Sequence, residues 1–404
     1  MMSDSACETI ITTYKCSDSY GGRSIGDMAC VNLAPFAALT GGEIVEPEGL
    51  LFLDTETTGL SGGSGTVAFL VGVGHFTADG GFIIKQYLMR DYDEEYPLLL
   101  CTDVELRARE TLVTYNGKAF DMNLLASRFI MNGMRIRQPE NHLDLLYFAR
   151  RLWRNCLYNC RLTTLEQELL SEFREDDIPG SMIPQVYFNY LHNGDPRLIY
   201  KIMEHNRADI LAMAAVMHYL CVRMNDPEMV CSRAQHGKYG LGKYGHHELM
   251  GLAAIFEKLG EQKKAERCYR LSVESGNPAA VRSALQGLAQ MKKRERAYEE
   301  AVWCWERMLG FTPQVGVYPY VELAKYYEHK RRDFKTACAY TEQAIIVASR
   351  MRFAGEDLMR QLTVRQQRLN RKLDRDGCTA NENAAADTDG ERWRRRDRFP
   401  ALSC

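Results

Sequence analysis

No stretch of the sequence approaches the roughly 20 consecutive apolar residues that a membrane-spanning helix requires, so no membrane association is expected. Among the 13 cysteines there is no Cys-x-x-Cys pair. Cys156 and Cys160 stand four apart, but no second pair and no ordered histidines complete a zinc site. The cysteines therefore read as free thiols, mostly buried, in a reducing compartment. The opening residues, Met-Met-Ser-Asp-Ser-Ala-Cys-Glu, lack the basic start and apolar core of a signal peptide, which points to the cytoplasm. Net positive charge is absent too: 51 Lys and Arg against 53 Asp and Glu leave −2, so any surface for a polyanion must be local. Basic residues cluster at Arg150, Arg151 and Arg154 and at Lys292-Lys293-Arg294, and each cluster reads as a solvated helix face. The absence of a G-x-x-x-x-G-K-[ST] run excludes a P-loop.

What the chain does have is Leu50-Leu-Phe-Leu-Asp-Thr-Glu-Thr-Thr-Gly-Leu60. A short apolar run reads as a buried strand that ends in two carboxylates, Asp54 and Glu56. Residues i and i+2 of a strand share a face. Two acids there repel each other and lose hydration, and a bound cation is the usual relief. All-oxygen ligands suit Mg²⁺ or Mn²⁺. The bland alternative is that Asp54 caps a turn and Glu56 is solvated. Two further segments weigh against it. Asn116-Gly117-Lys118-Ala119-Phe120-Asp121 follows a second apolar strand, Leu112 to Tyr115, and Asp121 opens a helical pattern through Leu124, Leu125 and Phe129. His205-Asn-Arg-Ala-Asp209 begins another, and its His and Asp lie four apart, on one helical face.

These segments resemble the three exonuclease motifs of the DEDD superfamily, and in detail its YprB-type branch, an RNase-H-like nuclease domain followed by tetratricopeptide-like repeats. Phe52 to Thr66, Tyr115 to Asp121, His142 to Leu146 and His205 to Leu211 carry the likeness, which covers about residues 45 to 225 closely and the repeats more loosely. The resemblance implies two-metal phosphodiester hydrolysis, of the 3′→5′ exonucleolytic kind, on single-stranded DNA or RNA. Asp54, Glu56, Asp121 and Asp209 would hold two divalent cations, Mg²⁺ or Mn²⁺, and His205 would take the proton from the attacking water. The histidine class of the superfamily places its base five residues before the last Asp, and the tyrosine class four; His205 stands at the tyrosine spacing. Thr57, Thr58, Gly59 and Leu60 would cradle the terminal nucleotide, with Asn116 and Lys118 in the same pocket. Two rivals share the features: a silent nuclease fold serving as a scaffold through its repeats, and an endonuclease with the same chemistry.

The expected organisation is an N-terminal tail over 1–45, an RNase-H-like domain over 46–225, a linker over 226–245, helical repeats over 246–350, and a C-terminal helix with a disordered tail over 351–404. Within the nuclease region the expectation is an α/β mixed five-stranded sheet with helices on both faces. Strands are expected over Leu50 to Asp54, Thr66 to Phe76, Phe82 to Met89, Leu112 to Tyr115 and His142 to Leu145. Asp144 reads as the N-cap of the next helix in preference to a fifth site acid. Gly59, Gly62, Gly63 and Gly65 make either a phosphate-approaching loop or a tight turn. Ala265, Ala301 and Ala337 recur every 36 residues in an all-helical region, close to the tetratricopeptide period, and a concave face there would take a protein partner. The basic, aromatic end, Glu391 to Phe399, reads as disordered with nucleic-acid contact as an alternative.

Overall fold

The structure, a computed structural model, describes residues 7–40, 46–59, 65–137, 139–233, 239–241, 243–275, 278–311, 316–351 and 355–386. They form two compact units, Met1–Ser275 and Gly276–Cys404. Leu60, Gly62, Gly63 and the tail from 387 onward lie outside the described residues.

The first unit opens with β1 (Glu8–Tyr14), the short hairpin β2 (Ser19–Tyr20) and β3 (Arg23–Ser24), and the helices α1 (Ile25–Ala29) and α2 (Ala34–Thr40). Next come β4 (Leu50–Thr57), β5 (Ala68–Phe76), β6 (Phe82–Leu88), α3 (Glu95–Arg107), β7 (Thr111–Thr114), α4 (Asp121–Met131), β8 (Asn141–Asp144) and α5 (Leu145–Trp153). The unit ends with α6 (Leu162–Leu165), α7 (Ile183–Asn193), the long α8 (Arg197–Asn225), α9 (Gly245–Leu259) and α10 (Gln262–Glu274). The main sheet runs β1-β6-β5-β4-β7-β8, antiparallel from β1 through β4 and parallel from β4 through β8.

This corrects the expected five strands to six. The additional strand lies in the expected flexible tail: β1 pairs along its length with β6, Glu8 opposite Leu88 and Tyr14 opposite Phe82. Its β-branched run, Thr-Ile-Ile-Thr-Thr, suits an edge strand, with alternate residues exposed.

Helices cover both faces. On one, Leu51 and Leu53 of β4 pack with Leu98, Leu106, Leu125, Phe129 and Tyr187 from α3, α4 and α7. On the other, α8 lies across β4 and β5. The approach is close: a Cβ at Gly72 would stand 2.0 Å from the Asn206 side chain, so only glycine admits α8 at this depth. Asp54 pairs with Gly72 in the sheet, which brings the α8 face against the acids.

The span expected as a linker carries a short helical turn, Pro227–Val230, and two paired strands, Cys231–Arg233 and Tyr239–Leu241. The pure-helix region does begin at α9. However, α9 and α10 fall within the first unit. Glu248 of α9 is buried and accepts from Trp153 Nε1 at 3.0 Å, Tyr219 Oη at 2.8 Å and Arg223 Nε at 3.1 Å, tying α9 to α5 and α8.

The second unit holds α11 (Pro278–Arg294), α12 (Tyr298–Leu309), α13 (Tyr318–Tyr326), α14 (Phe334–Ser349) and α15 (Glu356–Ala386), each packed on the next. Ala301 and Ala337 are fully buried, where a small side chain lets helices approach. Between α13 and α14, Glu328 is buried and meets Arg365 at 2.7 Å and Arg368 and Lys372 at 2.9 Å from α15.

Candidate active site

Strand β4 runs between β5 and β7, so its last residues emerge in the middle of the sheet. Asp54 and Glu56 project toward α8. Asn206 of α8 donates through Nδ2 to Asp54 Oδ2 at 2.9 Å and to its carbonyl oxygen at 3.2 Å, while Gln86 Nε2 donates to Asn206 Oδ1 at 2.9 Å. Asn206 is thereby fully buried, with its amide orientation set by the glutamine. Thr55 points the other way and donates to Asp121 Oδ1 at 2.5 Å, which anchors the first residue of α4 to the strand.

The electrostatics bind the acids into one group. Loss of hydration, then the charges of Asp209, Glu56 and Asp121, push Asp54 well above the usual carboxylate range. Glu56 is raised likewise by lost hydration, then by Asp209, Asp121 and Asp177, with Arg174 opposing. Burial raises Asp121 to about 6 even though the Thr55 hydrogen bond pulls the other way. Asp54 and Glu56 stand two residues apart on β4, with Asp121 tied to the Thr55 between them, and burial disfavours the charged form of all three.

Asp209 and His205 sit one turn apart on α8, with His205 Nε2 3.7 Å from Asp209 Oδ2. Behind them lies a polar network that the sequence motifs do not contain. Asp177 Oδ1 stands 2.7 Å and Arg174 Nη1 3.4 Å from His205 Nδ1, which holds the ring with Nε2 on the Asp209 side. Arg174 donates to Asp209 Oδ1 at 2.5 Å and to Glu166 Oε2 at 2.6 Å. Tyr20, from the β2–β3 hairpin, donates to the same glutamate.

Among the described residues no three His, Cys, Asp or Glu side chains are gathered closely enough to hold one metal ion. Asp209 is instead paired with the Arg174 guanidinium at 2.5 Å. The donor set is nonetheless the right kind for Mg²⁺ or Mn²⁺, all carboxylate oxygen, with Asp54, Glu56 and Asp121 resisting charge where they stand.

The expected substrate-binding residues divide. Thr57 Oγ1 donates to Gly59 O at 2.8 Å, and both the amide and hydroxyl of Thr58 bond Val67, at 2.9 and 3.0 Å. Their hydrogen-bonding groups thus close the turn at the end of β4. Gly59 abuts Thr66, and Leu60 lies outside the described residues. Asn116 and Lys118 are exposed beside Asp121. Asp144 shapes their loop, accepting from Asn116 N at 2.9 Å and Lys118 N at 3.2 Å, and it also caps α5 by accepting from Leu146 N at 3.1 Å. The N-cap expectation for Asp144 therefore holds, with the loop as a second role. Asn116 has φ +70°, and a Cβ at Gly117 would lie 2.5 Å from Thr114, so the Asn-Gly pair is what this turn requires.

Residues 51–221 match the family model RNase_H_2, of the RNase H superfamily. The uncharacterized protein YprB of Bacillus subtilis (strain 168) is 33% identical over 328 residues, covering 80% of this chain and 75% of that protein. Among solved structures, the family B DNA polymerase from the hyperthermophilic archaeon Pyrobaculum calidifontis is 12% identical with a TM-score of 0.34, over 61% of this chain and 29% of the polymerase; a likeness of that size decides nothing about activity.

Proposed function

The chain belongs to the family of Bacillus subtilis YprB, with an RNase H superfamily domain at residues 51–221, and on that premise we propose that it is a metal-dependent 3′→5′ exonuclease acting on single-stranded DNA or RNA. The observation that carries the reading is the linkage of the three motifs through β4: Asn206 of α8, between His205 and Asp209, bonds Asp54, and Thr55 bonds Asp121 at the start of α4. Nucleases of this superfamily generally use divalent metals. Asp54, Glu56, Asp121 and Asp209 would hold two such cations, which supply the charge that activates a water and steadies the leaving oxygen.

The chain's own residues do the rest. Asp177 holds the His205 ring through Nδ1, and Nε2 would accept the water's proton. Asn206 fixes the rotamer of Asp54, and Thr55 that of Asp121. Arg174 holds Asp209 oriented through their ion pair, which would have to open for Asp209 to serve a cation. Asn116 and Lys118 meet the nucleotide from the other side. The helices after Pro278 form a tetratricopeptide-like array for a protein partner, a reading supported by their consecutive pairing and the buried alanines.

The test is degradation of single-stranded DNA and RNA, labelled at either end, with Mg²⁺, Mn²⁺ or EDTA. Metal-dependent release of mononucleotides from the 3′ end is expected. Cleavage of circular single strands would replace the exonuclease with an endonuclease. No metal-dependent cleavage of any substrate would leave the scaffold reading in its place.

A further inference from the structure

A cleft of about 880 Å³ lies in the first unit. It is lined at one end by Asn116 and Lys118, in the loop that leads into Asp121 at the start of α4, and runs along α5 toward Lys258 of α9. Helix α5 is sharply two-sided. Leu145, Leu146, Phe148, Ala149, Leu152 and Trp153 are buried, while Tyr147, Arg150 and Arg151 are exposed, and so is Arg154 just beyond its end. Positions 147, 150, 151 and 154 are spaced by three, one and three residues, which places them on one helical face along the cleft.

The charges of this face differ from the pattern around them. Elsewhere on the unit Lys85 pairs with Glu105, Arg107 with Asp103, and Arg128 with Glu95. Lys118, Arg150, Arg151 and Arg154 make no ion pair among the described residues, and Lys258 lies over the Tyr147 ring at 5.6 Å. The acids in the cleft are Glu140 and Asp144, and Asp144 is already held by three backbone amides. An unneutralised row of cations costs self-repulsion, and a polyanion relieves it. Arg150 and Arg154 are separated by about 6 Å along the helix axis, of the order of one step of an extended nucleotide chain. The Tyr147 ring is half exposed with Lys258 over one face, and an exposed aromatic among cations suits the unpaired bases of a single strand.

We propose that this cleft carries the phosphodiester backbone of a single strand toward the acids, with Lys118, Arg150, Arg151, Arg154 and Lys258 on phosphates and Tyr147 beneath a base. The assignment rests on the nuclease reading for its occupant, and it turns the Arg150–Arg154 cluster from a solvated face into a track.

The experiment is fluorescence anisotropy of the full-length protein with labelled single-stranded DNA and RNA in EDTA, so that binding is read without hydrolysis, over a series of salt concentrations. Arg150→Glu with Arg154→Glu should weaken binding at least tenfold and flatten the slope of log K against log salt by about 1.4, two phosphate contacts' worth. Tyr147→Ala should weaken binding about tenfold with the slope unchanged. Arg150→Gln with Arg154→Gln guards against misfolding of the reversed pair and should show the same slope change. A wild-type protein that binds and degrades single strands, with both double variants binding as it does, overturns the cleft and leaves the nuclease reading standing. Equal competition by unlabelled duplex overturns the single-strand occupant. A wild-type protein that neither binds nor degrades either strand removes the nuclease reading, and the inference with it.

Discussion

Replacing Asp54 by Asn should make the metal-free protein more stable and the metal-loaded protein less so. The carboxylate at this position has lost its hydration and faces Asp209, Glu56 and Asp121, with a single favourable hydrogen bond from Asn206. Asparagine keeps the shape, removes the charge, and can still accept from Asn206 through its amide oxygen. Relief of one desolvated charge is of the order of 1–3 kcal/mol. For a unit of this size that is a rise of about 2–10 °C in the melting temperature. Metal reverses the order. A cation at a hundred times its Kd stabilises the wild type by about 2.7 kcal/mol, and the variant, short of one ligand, gains little. The assay is thermal unfolding of both proteins in EDTA and in saturating Mg²⁺ or Mn²⁺, alongside cleavage of a labelled oligonucleotide. The two melting curves should cross between conditions, with cleavage lost in the variant. A variant that melts at or below the wild type in EDTA, or that keeps the full metal-dependent rise, would falsify the claim that repelled carboxylates wait here for a cation.

His205→Ala should lower turnover by roughly 10²–10⁴-fold while leaving the metal-dependent rise in melting temperature in place, and Asp177→Asn should give a smaller loss by freeing the imidazole ring; wild-type turnover in His205→Ala would show that another group positions the water. A fragment of residues 1–275 should fold, whereas 1–245 should be poorly soluble, because removing α9 strips Glu248 from Trp153, Tyr219 and Arg223; equal yields and melting temperatures of the two fragments would contradict that packing. Glu328→Gln should destabilise the second unit by about 3 kcal/mol by leaving Arg365, Arg368 and Lys372 without their carboxylate, read by hydrogen exchange across α15 in the full-length protein. Burial alone would raise Glu328, but hydrogen bonds from Arg368 and Lys372 and the surrounding cations hold it at about 2, below the usual 4.5. Its contribution is therefore fully present above about pH 4.5 and lost as pH falls toward 2, and the variant's exchange should lack that dependence.

The parts of this molecule that are legible in sequence are those set by short-range periodicity. Leu50-Leu-Phe-Leu ahead of Asp54 can only be a buried strand, and the hairpin around Gly80-Gly81 follows from its turn residues. Helix α5 was readable to the residue, because its apolar spacing and its Asp144 cap agree. β1 was not. Its residues are as β-favouring as those of β5, but alternate ones face solvent at a sheet edge, and the polar, glycine-containing stretch around Gly21-Gly22 makes the whole segment resemble a tail. The boundary between the units was hidden for a related reason. α9 and α10 read in sequence like the helices after Pro278, but α9 packs on α5, with Gly251 against Arg151 and Leu152, and its buried Glu248 bonds Tyr219 and Trp153, 29 and 95 residues away in sequence.

The candidate site shows the same division between motif and context. Asp54, Glu56, Asp121, His205 and Asp209 are visible because each sits at the end of a strand or on one face of a helix. Asn206 could have been found from the same helix, since it precedes Asp209 by three residues and must point toward the strand if His205 and Asp209 flank the site. Arg174 and Asp177 had no such signal. They lie between α6 and α7, and nothing in their spacing relates them to α8. Yet they touch the two α8 groups proposed for the chemistry, Asp177 at His205 Nδ1 and Arg174 at Asp209. A carboxylate paired at 2.5 Å with a guanidinium is a poor metal ligand until the pair opens. A cation taken by Asp209 would have to displace Arg174, so the proposed metal and the ion pair would compete for the same carboxylate.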